Sequence, residues 1–315
     1  MTAQRETLPP HVAVLMGGPS AEREVSLVSG AACAAALGKL GHRVTEIDVT
    51  RDIAATLEAL TTLDPHPDVV FNALHGRYGE DGCIQGMLEF LAIPYTHSGV
   101  LASALAMDKP TARRLFTAAG LTCAEGRTAR RDDVIQGRVM DPPYVVKPLN
   151  QGSSVGVHIV LEGDGVQPLA SDWPFGERVL VERYIPGREI QVAVMDDQAL
   201  GAIEIRPKGQ FYDYRAKYTE GQAEHLMPAP LSDAEYAEAL EVARLAHATL
   251  GCQGVTRTDL RFDDTGDGPG HFYVLEVNTQ PGMTPLSLVP EIAAHAGIGF
   301  GQLVAWMVED ASCPR

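Results

Sequence analysis

The chain has 315 residues, of which 45% are hydrophobic and 21% are charged, values that suit a globular protein with two or three domains. Its 25 basic and 41 acidic side chains give a net charge of −16, which argues against a surface for nucleic acid or anionic membranes. The five cysteines form no CxxC pair and no zinc spacing, and the sequence shows no signal peptide or membrane-spanning run. It therefore predicts a cytoplasmic protein with free thiols.

The first hundred residues alternate short apolar strands with helical patterns. Residues 11–16 form an apolar strand that runs into a Gly-Gly-Pro-Ser turn, and Ser20 is predicted to cap the helix that follows. Further strands are predicted over residues 44–49, 69–74 and 92–95. This order is typical of a Rossmann-like α/β domain, although the chain has neither a GxGxxG fingerprint nor a Walker A loop.

Two polar residues lie where such a domain binds ligands, at the carboxyl ends of its strands. Glu22 follows the first strand, and a carboxylate there repels phosphate and attracts a substrate ammonium, although compensation of the helix dipole explains it as well. His75 follows the strand over residues 69–74 and faces the same crevice, with a structural hydrogen bond as the alternative.

The middle of the chain places two lysines beside predicted phosphate sites. Lys109 follows Asp108, which is predicted to cap a helix, and Lys147 ends a strand that leads into a small-residue loop. The backbone amides of that loop, Gly152 to Gly156, could cover phosphates with Lys147 as a point charge. An ordinary hairpin with a solvent-exposed lysine is the alternative.

The last third predicts a hairpin between strands over residues 255–262 and 272–277. That pairing would bring Arg257 and Asp259 beside Glu276 and Asn278. Carboxylate and amide oxygens suit hard cations, and two divalent ions that bridge triphosphate oxygens would fit the patch. Taken alone, the second strand is better explained as a partly exposed edge strand with two polar side chains in solvent. A long loop over residues 211–230 is predicted to be a lid that becomes ordered on binding ATP and substrate.

Seven blocks, in order, resemble the ATP-grasp superfamily and, within it, the D-alanine–D-alanine ligases. They are GGPSAEREVSL (17–27), ALHGRYGEDG (73–82), ASALAMDK (102–109), VVKPLNQGSSVGV (145–157), FYDYRAKY (211–218), TRTDL (256–260) and LEVNTQPGMTPLSLVP (275–290). The resemblance implies a mixed α/β and α+β protein with the ATP-grasp fold. It implies an N-terminal Rossmann-like domain over residues 1–98, a central ATP-grasp lobe over 99–181 and a C-terminal lobe over 182–315.

The resemblance also implies which residues bind ATP and metal. Lys109 and Lys147 would hold the ATP phosphates, with the loop that contains Ser154 closing over them. Lys217 would approach the γ-phosphate, Glu182 would meet adenine and Glu189 would meet ribose. The ligands of two Mg²⁺ or Mn²⁺ ions would be Asp259, Glu276 and Asn278.

The remaining implied roles concern two D-alanine molecules. Glu22 would pair with the ammonium of the first, in a hydrogen-bonded set with Ser153 and Tyr218, and His75 would lie near it. Ser287 would help to bind the carboxylate of the second D-alanine. Arg257 and the backbone amide of Gly282 would stabilise the tetrahedral oxyanion.

The implied reaction is ATP-dependent formation of D-alanyl-D-alanine through an acylphosphate, for peptidoglycan precursor synthesis, and the resemblance implies a homodimer. An alternative is another ATP-grasp ligase, such as a D-alanine–D-lactate ligase, although the resemblance links Tyr218 to an amine nucleophile. A nucleotide-binding sensor without catalysis would lack the metal ligands or Arg257, and the chain has all of them.

Overall fold

The computed structural model of the protein describes residues 9–152, 155–163, 173–208 and 221–315. Its N-terminal part is a parallel sheet in the order β2-β1-β3, as the strand pattern predicts. The strands are β1 (His11–Gly17), β2 (Arg43–Val49) and β3 (Val69–Asn72). The helices that follow them are α1 (Arg23–Lys39), α2 (Ile53–Thr62) and α3 (Cys83–Phe90).

Two local predictions for this part are wrong. Helix α1 begins at Arg23 with Glu22 as its capping residue, so Ser20 lies two residues before the cap. The Ser20 hydroxyl accepts the Glu22 N–H at 3.1 Å and donates to the His75 carbonyl at 2.7 Å. Residues 92–95 form no strand: Tyr95 makes only single bridges, to Val70 and Ser312. Pro94 has no N–H group to donate, so a ladder cannot extend through it.

The central part is an antiparallel sheet in the order β4-β7-β5-β6. Its strands are β4 (Gly126–Arg130), β5 (Tyr144–Lys147), β6 (His158–Val160) and β7 (Arg178–Arg183). Helix α6 (Arg131–Ile135) packs on this sheet, whereas α4 (Val100–Met107) and α5 (Lys109–Ala118) pack against the C-terminal part. Strand β7 continues past residue 181, where the sequence places a lobe boundary. The three domain boundaries stay predictions.

The C-terminal part is a larger antiparallel sheet in the order β10-β9-β8-β11-β12. Its strands are β8 (Arg188–Met195), β9 (Gln198–Pro207), β10 (Ala223–Leu226), β11 (Val255–Asp263) and β12 (His271–Asn278). Helix α7 (Asp233–Leu250) packs on this sheet, begins with the predicted Ser232–Glu235 capping box and ends at Gly251 with φ +69°. Helices α8 (Leu288–His295) and α9 (Phe300–Asp310) complete the chain.

One hydrophobic cluster joins the first sheet to the last. It contains Val14 of β1, Ile203 of β9 and Leu303 of α9, all of them fully buried. Burial of such side chains stabilises the arrangement by about 1.5–3 kcal/mol each. The N-terminal sheet is therefore held firmly against the C-terminal part, and their polar loops meet at one junction.

No single helix in the described part of the chain is long and apolar enough to cross a membrane. Helices α8 and α9 reach that length and composition only as a pair, which is bent by 104°. Their apolar side chains, including Ile292 and Val304, are buried in the core.

Candidate active site

The β11–β12 hairpin carries the side chains that the sequence proposes as metal ligands. In its antiparallel register Arg257 lies opposite Asn278, and Asp259 lies opposite Glu276. Because side chains alternate between the faces of a strand, all four belong to one face. The predicted juxtaposition is confirmed. A register shift follows directly after Asp259, so this end of the hairpin is set apart from the regular ladder.

Arg257 and Asp259 form a forked ion pair within this patch. Arg257 Nε donates to Asp259 Oδ1 at 2.7 Å, and Nη2 donates to Oδ2 at 3.0 Å. Two parallel bonds fix the orientation of both groups, and a lysine could not supply them. Asn278 Oδ1 accepts the Gln280 N–H at 2.9 Å, which closes the turn at the end of β12.

Lys109 brings the start of α5 to the same hairpin. Its Nζ donates to Glu276 Oε2 at 2.6 Å, and Asp108 caps the helix by accepting the Thr111 N–H at 2.9 Å, as predicted. Burial lowers the pKa of Lys109, but the ion pair with Glu276 and the nearby carboxylates outweigh burial and raise it above its ordinary value. Lys109 is therefore a buried, permanently charged group.

Lys147 occupies a similar position at the end of β5. Its ammonium forms an ion pair with Glu182 of β7, and Arg113 Nε lies 2.7 Å from the other oxygen of that carboxylate. Lys147 and Glu182 are both buried. Two cations thus share one carboxylate, so this corner of the site has a net positive charge that favours an anion.

These groups line one cleft between the central and C-terminal sheets. Its polar walls include Lys109, Lys147, Glu182, Glu189, Asp259 and Glu276. Its apolar walls include Val145, Val157, Ile159, Ile185 and Leu275. Glu189 is oriented by Gln191, whose Nε2 donates to its Oε1 at 3.1 Å. The cleft therefore combines an apolar slot, carboxylates and buried lysines, which match the base, the sugar and the phosphates of a nucleotide.

His75 joins the N-terminal domain to the loop that follows β12. Its Nδ1 lies 3.1 Å from the Gln280 carbonyl oxygen, and its Nε2 lies 3.3 Å from Ser29 Oγ. A carbonyl can only accept, so Nδ1 carries the proton and Nε2 accepts from the Ser29 hydroxyl. Burial, followed by the charge of Arg257, lowers the pKa of His75 to about 4. The imidazole is neutral at pH 7 and acts as a hydrogen-bonded link.

Glu22 lies close to His75, at the N-terminus of α1, and is only 7% exposed. A methyl group built on Gly76 would lie 2.7 Å from Glu22 Oε2, so the absence of a side chain at residue 76 leaves room for the carboxylate. A buried carboxylate in this crevice provides a specific place for a cation.

Gly282 and Ser287 belong to the loop between β12 and α8. A methyl group on Gly282 would lie 2.8 Å from Ser287 Oγ, so the backbone at residue 282 approaches that hydroxyl closely. Ser287 Oγ accepts the Thr284 N–H at 2.9 Å. Ser287 precedes α8 without capping it through its side chain, so the helix N-terminus stays open to a carboxylate.

Two family descriptions match the chain. "D-ala D-ala ligase C-terminus" matches residues 116–309, and "D-ala D-ala ligase N-terminus" matches residues 52–98. The chain is 57% identical over 308 residues to a D-alanine–D-alanine ligase of Parvibaculum lavamentivorans, with 97% of this chain and 98% of the relative covered. It is 59% identical over 310 residues to one of Methylocella silvestris, with 97% and 99% covered. The chain belongs to the D-alanine–D-alanine ligase family.

Solved structures of ligases have the same architecture. The D-alanine–D-alanine ligase from Bacillus anthracis complexed with ATP is 32% identical with a TM-score of 0.78, and the match covers 96% of this chain and 97% of that ligase. VanG D-Ala:D-Ser ligase from Enterococcus faecalis is 27% identical with a TM-score of 0.78, and the coverages are 96% and 99%. The ATP-grasp fold expected for this D-alanine–D-alanine ligase family member is confirmed.

Four of the predicted site residues lie outside the described part of the chain. They are Ser153, Ser154, Lys217 and Tyr218, and the predicted lid over residues 211–230 lies largely outside it too. The other predicted residues meet at the junction of the three sheets. Their roles in binding stay proposals.

Sequence reasoning missed three residues at this junction. Arg113 shares Glu182 with Lys147, Gln280 joins two parts of the chain, and Glu80 is buried beside Glu22. Burial, followed by the charge of Glu22, raises the pKa of Glu80 well above its usual range. The available signal for Glu80 is its place in a Gly-rich turn directly after a strand of the α/β domain.

Proposed function

We propose that the protein joins two D-alanine molecules into D-alanyl-D-alanine at the expense of ATP, for peptidoglycan precursor synthesis. The observation that carries this proposal is the junction of the Arg257–Asp259 and Lys109–Glu276 pairs in one cleft of a D-alanine–D-alanine ligase fold. Identities of 57% and 59% to D-alanine–D-alanine ligases over nearly the whole chain support the choice of substrate.

ATP binds in the cleft between the central and C-terminal sheets. The apolar side chains Val145, Ile159 and Leu275 flank the adenine, and Glu182 and Glu189 accept hydrogen bonds from adenine and ribose. Lys109 and Lys147 hold the phosphates as buried point charges. Ser154 and Lys217, which lie outside the described residues, are assigned to the phosphates by the family resemblance alone. The Bacillus anthracis ligase, which was solved in complex with ATP, supports the choice of nucleotide.

The donor set on β11 and β12 fits Mg²⁺ or Mn²⁺. Asp259 and Glu276 face each other across the hairpin, and Asn278 adds an amide oxygen. The described residues contain no cluster of three or more His, Cys, Asp or Glu able to hold an ion. Mg²⁺ characteristically uses one or two carboxylates and takes its other ligands from phosphates and water, so the set is sufficient. Two such ions would neutralise charge on the phosphates.

The two D-alanine molecules occupy the N-terminal side of the junction. Glu22 pairs with the ammonium of the first, together with Ser153 and Tyr218, and the neutral His75 holds the surrounding loops in place. Ser287 and the open N-terminus of α8 take the carboxylate of the second. This arrangement lays the two substrates in a row toward the phosphates.

Ligation then needs positioning and electrostatics and no protein nucleophile. A carboxylate oxygen of the first D-alanine bonds to the γ-phosphorus, and the bond from that phosphorus to ADP breaks. The deprotonated amine of the second D-alanine attacks the acylphosphate carbon to give a tetrahedral oxyanion. Arg257 and the Gly282 N–H stabilise that charge. Collapse breaks the bond from carbon to the phosphate oxygen and expels inorganic phosphate, and the nitrogen loses a proton to solvent to leave the neutral peptide bond.

Phosphate release and product mass test this proposal. The purified protein is incubated with ATP, Mg²⁺ and D-alanine, L-alanine, or D-alanine with D-lactate or D-serine, and products are identified by mass spectrometry. Release with D-alanine alone, with one dipeptide per phosphate, is the expected result. Release that requires D-lactate or D-serine, or that yields no dipeptide, would contradict the proposal.

The protein works as a homodimer in the cytoplasm. All five cysteines, which lie in the described part of the chain, are unpaired, and this supports a reducing compartment. Phe90 at the end of α3 is 95% exposed and Leu101 in α4 is 71% exposed, which supports an apolar contact between subunits. Light scattering is expected to give twice the chain mass for the wild type and the chain mass for Phe90→Glu with Leu101→Glu. A monomeric wild type would contradict this assignment.

A further inference from the structure

Glu80 places a second carboxylate in the space that Glu22 faces. A methyl group built on Gly152 would lie 3.2 Å from Glu80 Oε1 and 3.3 Å from Glu22 Oε2. Both carboxylates therefore lie within contact distance of one point beside Gly152. Glu22 is 7% exposed and Glu80 is 8% exposed, so water screens their repulsion poorly.

Few groups in the described part of the chain stabilise the charge of Glu80. A backbone hydrogen bond from Gly76 and the charge of Lys109 both act in favour of the ionised carboxylate. Lys109 is already bonded to Glu276 at 2.6 Å, so its charge is shared. A buried carboxylate with so little compensation is costly, and the position calls for a donor that arrives with the substrate.

The electrostatics of the pair agree with this geometry. Burial and then the charge of Glu22 outweigh the two favourable contacts and raise the pKa of Glu80 well above its usual range. A small cation between the two groups would relieve the repulsion that is responsible for part of this shift. A neutral ligand in the same place would not reduce the repulsion between the two carboxylates.

We propose that Glu80 is a second acceptor, beside Glu22, for the ammonium of the first D-alanine. This assignment rests on the proposed function and adds a specificity residue to it. An ammonium has three N–H donors, and carboxylates from two different turns satisfy more of them than Glu22 alone. Because Glu22 lies in the turn after β1 and Glu80 lies in the turn after β3, two separate turns hold the ammonium. The hydroxyl of a hydroxy acid has one donor and no positive charge, so the two carboxylates select an amino acid as first substrate.

Kinetics of Glu80→Gln test this assignment in the full-length protein. Phosphate release is measured against D-alanine, ATP and Mg²⁺, and the D-alanine data are fitted with separate constants for the two molecules. The KM of the first D-alanine is expected to rise at least tenfold, with the KM of ATP and the Mg²⁺ dependence unchanged. Glu80→Asp, which keeps the charge, is expected to recover part of the loss.

Asp81→Asn is the matched control, because Asp81 shapes the same turn by accepting the N–H groups of Tyr78 and Cys83. Its D-alanine KM is expected to stay within about twofold of the wild type. Glu80→Gln with an unchanged D-alanine KM, or with an altered Mg²⁺ requirement instead, would overturn the assignment. If Glu80→Gln does not fold, an unchanged first KM in Glu80→Asp overturns it. A wild type without D-alanine turnover would overturn the proposed function itself.

Discussion

Arg257 illustrates how single residues in the cleft serve both structure and chemistry. Its guanidinium holds Asp259 through two hydrogen bonds of 2.7 and 3.0 Å, and its charge also reaches His75. In the proposed reaction it stabilises the oxyanion while keeping a metal ligand in position. Both tasks use the planar fork of donors that only arginine has.

Replacement of Arg257 by lysine is therefore expected to lower kcat by about a hundredfold, the cost of losing one oriented donor to an oxyanion. The charge is retained, so the fold and the KM of ATP should change little. Stopped phosphate-release assays at saturating substrates provide the measurement. Arg244→Lys is the control, since Arg244 pairs with Glu241 on the exposed face of α7. A kcat within threefold of the wild type would rule out the oxyanion role.

At the scale of elements, the site depends on a seam between the end of β3 and the end of β12. Gln280 Oε1 accepts from Asn72 Nδ2 at 2.8 Å, and its Nε2 donates to the Leu74 carbonyl. The Gln280 carbonyl meanwhile accepts from His75. One buried residue of the C-terminal part thus positions the strand end that carries both His75 and Glu80.

Gln280→Ala is expected to lower the free energy of unfolding by about 1–3 kcal/mol, because it removes one buried hydrogen-bond partner from the Asn72 amide and one from the Leu74 carbonyl. Urea unfolding followed by circular dichroism measures the change. Gln136→Ala is the control, because Gln136 is exposed. This variant is expected to change the free energy of unfolding by less than about 0.5 kcal/mol. Equal effects of the two variants would show that the seam contributes nothing.

His247 links α7 to β11 and gives this contact a pH dependence. Its Nδ1 lies 2.8 Å from Thr256 Oγ1, and burial lowers its pKa from 6.5 to about 4. Below pH 6.5 His247 is protonated in the unfolded chain, whereas in the folded chain it stays neutral down to about pH 4. Acidification from pH 6.5 to pH 4 therefore favours unfolding.

Between pH 7 and pH 5, His247 is expected to lower the free energy of unfolding by about 1–2 kcal/mol. Urea unfolding of the wild type and of His247→Gln at both pH values measures it. The wild type should lose more stability on acidification than the variant, because the variant lacks the titrating group. Identical losses in the two proteins would contradict a buried, neutral His247.

For the whole molecule, the sequence was sufficient to predict those parts of the fold that depend on a local pattern of residues. The strand–turn–helix of residues 11–39, the capping box of α7 and the β11–β12 hairpin all follow from periodicity and turn residues. The hairpin also brings Arg257 and Asp259 beside Glu276 and Asn278, as the sequence predicts, and the structure adds the register that pairs Asp259 with Glu276. The family resemblance then links these pieces to one fold, which the solved ligase structures confirm.

The sequence was insufficient to predict contacts between segments that are far apart along the chain. Arg113, Gln280 and Glu80 act through partners about 70, 200 and 60 residues away along the chain, and no periodicity within a strand or helix reveals such contacts. The prediction that Ser20 caps α1 is also wrong, and the bond from its hydroxyl to the His75 carbonyl, 55 residues away, has no signal in the local sequence. Long-range hydrogen bonds require the assembled sheets.

The most direct test of the central claim follows the carboxylate oxygen of D-alanine. The protein is incubated with ATP, Mg²⁺ and D-alanine labelled with ¹⁸O in its carboxylate, and the released phosphate is analysed by mass spectrometry. Attack of that carboxylate on the γ-phosphorus predicts one ¹⁸O atom in each phosphate, together with an equal amount of D-alanyl-D-alanine. Unlabelled phosphate would mean that water attacks ATP, and it would contradict ligation through an acylphosphate.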